Sequence, residues 1–193
     1  MSVEIVEIGP GELARYASVP IAFRVESVLC VDEIDGGLGG FRLTEEPVAQ
    51  PGVKDYNAFE GDAPTCWGER FDISRWGFFL ALDGTRPVGG AAVAWNTPDL
   101  LMLEGVTDLA VLWDIRVHPE HQRRGIGAAL LKRAADWARG RKCSRLKIET
   151  QNVNVPACRF YASQGCRLGA IARHCYHEPQ LAHEVMLLWY LDL

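Results

Sequence analysis

The run Gln122-Arg123-Arg124-Gly125-Ile126-Gly127 combines two arginines and two glycines. The apolar stretch Leu109–Val117 comes shortly before it, and apolar positions at helical spacing follow it. Residue types at such a junction suit an anion. Backbone N–H groups in the first turn of a helix have no partner inside the helix, and the aligned peptide dipoles add partial positive charge. Glycines at 125 and 127 let a phosphate approach the backbone, and the arginines supply formal charge. The dipole alone contributes about 0.3–1 kcal/mol, and up to about 2 kcal/mol when the anion is partly buried. The chemistry implied is a pyrophosphate cradle. A Walker loop is excluded, because no Lys-Ser/Thr pair follows Gly127. A dinucleotide fingerprint is excluded as well: Ala128-Ala129-Leu130 follows Gly127, and Gln-Arg-Arg replaces the tight glycine turn. Taken by itself, Gly-x-Gly also suits an ordinary helix start.

Charged residues inside apolar strands form the second group. In a regular strand Asp114 and Arg116 share one face, and Lys147 and Glu149 share one face of the next strand. Charges on central strands need an explanation, either as an ion-pair set or as catalytic groups. His118 falls in the loop before Gln122. The run His174-Cys175-Tyr176-His177 alternates faces on a strand, which is poor spacing for one metal ion, and no metal site is expected.

The elements that must hold these groups follow from periodicity and punctuation. Val3–Ile8 reads as a first strand, broken by Gly9-Pro10-Gly11. Residues 12–31 show roughly helical spacing interrupted by Pro20. Residues 32–72 are rich in Gly and Pro and carry ten acidic against three basic residues. Phe41, Tyr56, Phe59 and Trp67 in this stretch point to a folded-over substrate loop rather than a linker. Phe78–Leu82, the Asp83-Gly84 turn and Pro87–Asn96 read as a hairpin. Leu109–Val117 is a strand and Gly125–Arg139 an amphipathic helix, with Ile126, Leu130, Ala134, Trp137 and Ala138 on one face. Arg145–Thr150 is a strand, Pro156–Gln164 a short helix stopped at Gly165, and Arg167–Tyr176 with Glu184–Leu191 a closing antiparallel pair. The order predicts a single α+β domain over residues 1–193. Its sheet is mixed, with one parallel pair joined by the helix after Gln122.

At this point the chain resembles the GNAT superfamily of N-acetyltransferases. Gln-Arg-Arg-Gly-Ile-Gly matches that family's Q/R-x-x-G-x-G/A acetyl-CoA loop, with the strand before it and the helix after it. Asn154-x-x-Ala157-x-x-x-Tyr161-x-x-x-Gly165 matches its following block. The resemblance runs from about residue 78 to the C-terminus. Leu112–Val117 and Glu149–Ile171 further resemble streptothricin acetyltransferases. The resemblance implies a twisted, mostly antiparallel sheet flanked by helices, whose parallel pair splays apart. The pantetheine arm of acetyl-CoA, the cosubstrate, would lie in that cleft along the backbone of Ile115, Arg116 and Val117. The diphosphate would sit on Gln122, Arg123, Arg124, Gly125, Ile126, Gly127 and Ala128. Asn154 would contact pantetheine and Tyr161 would stand near the thioester sulfur. On spacing alone, Asn154 also suits a helix cap and Tyr161 a core position.

Direct acetyl transfer to a primary amine needs a neutral amine and a proton for the departing thiolate. Tyr161 is the natural donor, and Asp114 and Glu149 are the base candidates, with His118 a third. The alternatives are a non-catalytic acyl-CoA sensor that keeps the fold, or a protein N-acetyltransferase.

Composition bounds the partners. At 48% hydrophobic and 23% charged residues the chain is typical of a globular protein. Residues 1–110 hold 7 basic and 18 acidic side chains, whereas residues 111–193 hold 13 and 7. A basic C-terminal part suits a polyanionic cosubstrate, and an acidic N-terminal part suits a small cationic acceptor. A pI of about 5.5 and the lack of a basic run interleaved with aromatics argue against nucleic acid. MSVEIVEI carries no secretion signal, no apolar run reaches a membrane span, and six cysteines show no CxxC pair. These features predict reduced thiols, a cytoplasmic protein and no membrane partner, with a homodimer compatible.

Overall fold

Alternating apolar and acidic residues build β1 (Val3–Ile8), and Pro10 opens the 3-10 turn that leads into α1 (Leu13–Ala17). The computed structural model describes residues 3–59 and 61–193. Met1 and Ser2 of the N-terminal stretch, and Glu60 of the 32–72 segment, lie outside the described residues. The chain divides into two units: Met1–Ala22, Asp55–Ile148 and Tyr190–Leu193 form unit 1, and Phe23–Lys54 with Glu149–Trp189 form unit 2.

In unit 1 the sheet runs β1, β4 (Gly77–Asp83), β5 (Arg86–Trp95), β6 (Leu109–Val117), β7 (Arg145–Gln151). Every neighbouring pair is antiparallel except β6 with β7, which is parallel. The two are joined by α3 (Ile126–Gly140), which buries Ile126, Leu130, Leu131, Ala134, Ala135, Trp137 and Ala138 and leaves Lys132 and Arg139 exposed. The fold is thus the α+β class that the sequence predicts, a mixed, mostly antiparallel sheet with one parallel pair. No helix among the described residues is long and apolar enough to cross a membrane.

The face of the sheet that carries α1 holds an aromatic cluster of Tyr16, Trp67, Trp76 and Phe78, all buried. Trp67 belongs to the short α2 (Trp67–Arg70) and stacks on Phe78 with centroids 6.3 Å apart. The Tyr16 ring lies on the backbone of β5: a Cβ built on Gly90 would stand 2.5 Å from its Cε2.

One irregularity interrupts the β5–β6 pairing. Ala92 pairs with Asp114 and Val93 with Leu112, so Trp113 is an extra residue in β6. Such a bulge bends its strand. The parallel ladder with β7 runs only from Leu109↔Arg145 to Leu112↔Ile148, ending where the bulge begins. Beyond it, β6 continues against β5 as far as Gly89↔Val117.

In unit 2, β2 (Phe23–Glu33) and β3 (Phe41–Lys54) form a two-stranded antiparallel sheet. The C-terminal end of β7 is followed in chain order by α4 (Val155–Ser163), β8 (Arg167–Ala172) and β9 (Met186–Asp192), and β9 lies next to β8 in the sheet. Here the structure corrects three expectations. The helical spacing of residues 12–31 holds only for Leu13–Ala17; from Phe23 the chain is a strand, whose exposed Arg24 and Glu26 alternate with the half-buried Phe23 and Val25. β-Branched Val25, Val28 and Val31 imitate a helical period while favouring strand. Within the segment read as a loop, residues 41–54 are a long strand. Pro47 and Pro51 suggested a loop, yet proline is tolerated in an edge strand. β8 also stops at Ala172, short of the expected Tyr176.

Gly90→Ala forces a methyl into the buried Tyr16 ring. It should cost about 1–3 kcal/mol, read as a lower urea midpoint with an unchanged slope. An unchanged midpoint would mean that the ring yields freely and that β5 does not need glycine there.

Candidate active site

The loop Gln122–Gly127 owes its shape to two left-handed residues. Arg123 has φ 62° and Gly125 φ 81°. For Gly125 this conformation is cheap, whereas a side chain in it costs about 1–2 kcal/mol. Gly125 is the N-cap of α3, one residue before the helix proper. Arg123, Arg124 and Gly125 are exposed, and a cavity of about 270 Å³ opens beside Arg124, Gly125 and Ile126.

The backbone of Ile115, Arg116 and Val117 follows the Trp113 bulge and pairs with Ala91, Gly90 and Gly89 of β5. The Arg116 side chain turns to the α1 face and is 3% exposed. Its Nε and Nη2 donate to the two oxygens of Asp114 at 2.8 and 2.5 Å, a bidentate pair. Nη1 donates to the Val19 carbonyl at 3.1 Å and Nη2 to Asn57 Oδ1 at 3.4 Å. The Tyr16 hydroxyl donates to Asp114 Oδ1 at 2.5 Å, and the guanidinium stands 5.0 Å from the Tyr16 ring centre. Burial opposes the Arg116 charge, but the Asp114 carboxylate outweighs it and holds the group above its ordinary pKa. Burial, and then the Asp114 charge, push the Tyr16 phenol well up, so it remains a donor. Asp114, expected as a base candidate, therefore has both oxygens engaged in an ion-pair network.

Lys147 is likewise structural: its ammonium donates to Glu104 Oε1 at 2.6 Å and to the Met102 carbonyl at 3.2 Å. The His118 Nδ1 accepts from the Glu120 N–H at 3.3 Å, capping the turn before Gln122, and its Nε2 lies 3.2 Å from Arg86. Unit 1 thus brings together Asp114–Val117 and Gln122–Ala128.

Unit 2 holds the remaining predicted residues. Glu149, on the C-terminal end of β7, accepts from the Tyr176 hydroxyl at 2.9 Å and from Gln151 Nε2 at 3.2 Å. Asn154 caps α4, its Oδ1 accepting from the Ala157 N–H at 3.2 Å. Tyr161 is 5% exposed on α4, its ring 6.4 Å from that of Trp189. Sequence reasoning missed Tyr16, Asn57, Gln151 and Tyr176. No spacing marks the first two, because their partners are far away in the chain. Tyr176 lay in plain view inside the His174–His177 run, which drew attention to a metal instead.

These features agree with known proteins. A model of the Acetyltransferase (GNAT) family matches residues 48–166. A streptothricin acetyltransferase of Escherichia coli is 38% identical over 186 residues, covering 96% of this chain and 94% of that protein. Streptothricin acetyltransferase A of Bacillus subtilis is 36% identical over 152 residues, 79% of this chain and 80% of that one. Among solved structures, nourseothricin acetyltransferase superposes with a TM-score of 0.77 at 25% identity, over 100% of this chain and 99% of that one. A Bacillus anthracis structure holding acetyl coenzyme A superposes equally well, at 0.77 and 23% identity over 100% of both chains, and shares the fold. A family model that spans residues 48–166 and relatives alike over nearly the whole chain leave one conclusion: the chain belongs to the GNAT acetyltransferase family, and its reaction is acetyl-CoA-dependent N-acetyl transfer.

Proposed function

We propose that the acceptor is a small cationic amine of the streptothricin type, acetylated by direct transfer. The observation that carries this is the extent of the likeness: proteins named streptothricin acetyltransferase are 35–38% identical over 79–96% of the chain. The likeness to a bS18-alanine N-acetyltransferase of Escherichia coli spans only 37% of it. The acidic excess of residues 32–72, ten against three, supports a cation as ligand and a substrate role for that segment.

In this reading the acetyl-CoA diphosphate sits on Gln122–Ala128, and pantetheine pairs with the backbone of Ile115–Val117, where the bulge has bent β6 away from the ladder. Asn154 contacts pantetheine. Asp114 is a structural partner of Arg116. Glu149 takes the proton from the acceptor ammonium, the neutral nitrogen attacks the thioester carbonyl, and Tyr161 gives its proton to the departing thiolate. A phenol with a reference pKa of about 10 is protonated at neutral pH and can donate to a thiolate whose thiol has one of about 8.5. Direct transfer is further supported by the thiols. Burial pushes Cys158 up to about 12 and Cys166 up to about 11, which makes both poor nucleophiles for an acyl-enzyme route.

Three measurements test this reading. Acetyl-CoA should raise the melting temperature of the wild type by mass action. Gly127→Glu should remove that shift while staying folded, since a carboxylate then occupies the phosphate position; normal CoA binding by the variant would displace the site from this loop. Thiol release should be fast with streptothricin, and the apparent KM should rise with salt as screening shortens the Debye length below about 8–10 Å. Faster turnover of anionic acceptors would overturn the acceptor class. Tyr161→Phe should lower kcat and kcat/KM together by about 10²–10⁴-fold with little change in CoA affinity. A variant with wild-type kcat, where chemistry limits turnover, would make Tyr161 a packing residue.

A further inference from the structure

Tyr176 lies between β8 and β9, in a stretch that is neither helix nor strand. Its hydroxyl is 2.9 Å from Glu149 Oε1 and 2.8 Å from Gln151 Nε2, and Gln151 Nε2 is 3.2 Å from the same Glu149 oxygen. The three polar atoms close a triangle, and their chemistry fixes its polarity. An amide nitrogen only donates and a carboxylate only accepts. The Tyr176 oxygen therefore accepts from Gln151, and its single proton goes to Glu149. Turning the Gln151 amide over would set its carbonyl against the carboxylate, acceptor against acceptor, so this orientation is the stable one. Gln151 is 9% exposed, on the same strand as Glu149 and two residues along, so β7 presents both side chains on one face.

We propose that Tyr176 is the positioning residue for the base. Its hydroxyl, held by Gln151, fixes the plane of the Glu149 carboxylate and favours its ionised form. This rests on the reading of Glu149 as the proton acceptor. Two donors converging on one carboxylate oxygen stabilise the anion, and a carboxylate that loses such a donor ionises less readily. Among these contacts the titratable groups are Tyr176 and, beside it, Cys175; Gln151 is neutral. Burial, and then the charge of Glu149, hold the Tyr176 phenol above its ordinary range, so it stays a donor wherever the acceptor amine can be neutral. Tyr176 also belongs to the 173–185 segment, so the same bond ties that segment to the strand bearing the base.

The test separates the two ideas. The Glu149 carboxyl is followed by ¹³C NMR across pH in the wild type, in Tyr176→Phe and in Gln151→Ala, and assigned by its loss in Glu149→Gln. With Tyr176→Phe its titration should move up by about one pH unit, as expected for loss of one hydrogen bond to a carboxylate, and with Gln151→Ala in the same direction by less. In thiol-release assays with streptothricin, the acidic limb of kcat/KM should move by the same amount, while KM for acetyl-CoA is unchanged. An unmoved Glu149 titration in both variants overturns the proposal, even if either one lowers stability or activity. A Glu149→Gln enzyme with wild-type kcat and an intact acidic limb overturns the reading of Glu149 as base, and the positioning role with it. A lost limb in Glu149→Gln beside an unmoved limb in Tyr176→Phe overturns the positioning role alone.

Discussion

One extra residue in β6 decides how the middle of the sheet is built. Trp113 has no partner of its own on β5, and inserting it bends the strand at the point where the parallel ladder with β7 stops. It also shifts the side-chain parity, so that Asp114 and Arg116 face α1 on the side of Ala92 and Gly90. A charged pair in that position is tolerable only because it is complete. Removing two ions from water costs several kcal/mol each, and the bidentate geometry, the Tyr16 hydroxyl and the Val19 carbonyl together offset that cost. Glycine at 90 leaves the room that the Tyr16 ring needs to bring its hydroxyl to Asp114.

The division of labour among the charged strand residues follows from burial and partners rather than from sequence position. Asp114 and Lys147 are committed to ion pairs with Arg116 and Glu104. Glu149 accepts from the Tyr176 hydroxyl and from the Gln151 amide.

Much of this was legible beforehand, and the reasons are specific. Leu109–Val117 stands out by its run of apolar residues, and the face of α3 formed by Ile126, Leu130, Ala134, Trp137 and Ala138 carries the helical period over the element. The loop at Gln122–Gly127 is contiguous, so its chemistry can be read without knowing the fold. The β2–β3 hairpin escaped because Val25, Val28 and Val31 carry a three-residue spacing inside a strand, and because Pro47 and Pro51 sit where an edge strand tolerates them. The Tyr16–Asp114 and Glu149–Tyr176 bonds escaped because they join residues 98 and 27 positions apart, and nothing local marks either partner.

The way the chain is shared between the two units bears on how the protein comes to be folded. Residues 55–148 supply β4 to β6, α3 and the first part of β7 without leaving unit 1. Unit 2 is assembled from residues 23–54 and 149–189, with that whole stretch lying between them in the chain. Contacts between distant segments close a long loop before any of them is rewarded, so they form late. On a ribosome the β2–β3 hairpin emerges early but lacks its partner segment until the chain is nearly finished. During that interval its long, two-faced strands are the part of the nascent protein most exposed to pairing with a wrong edge.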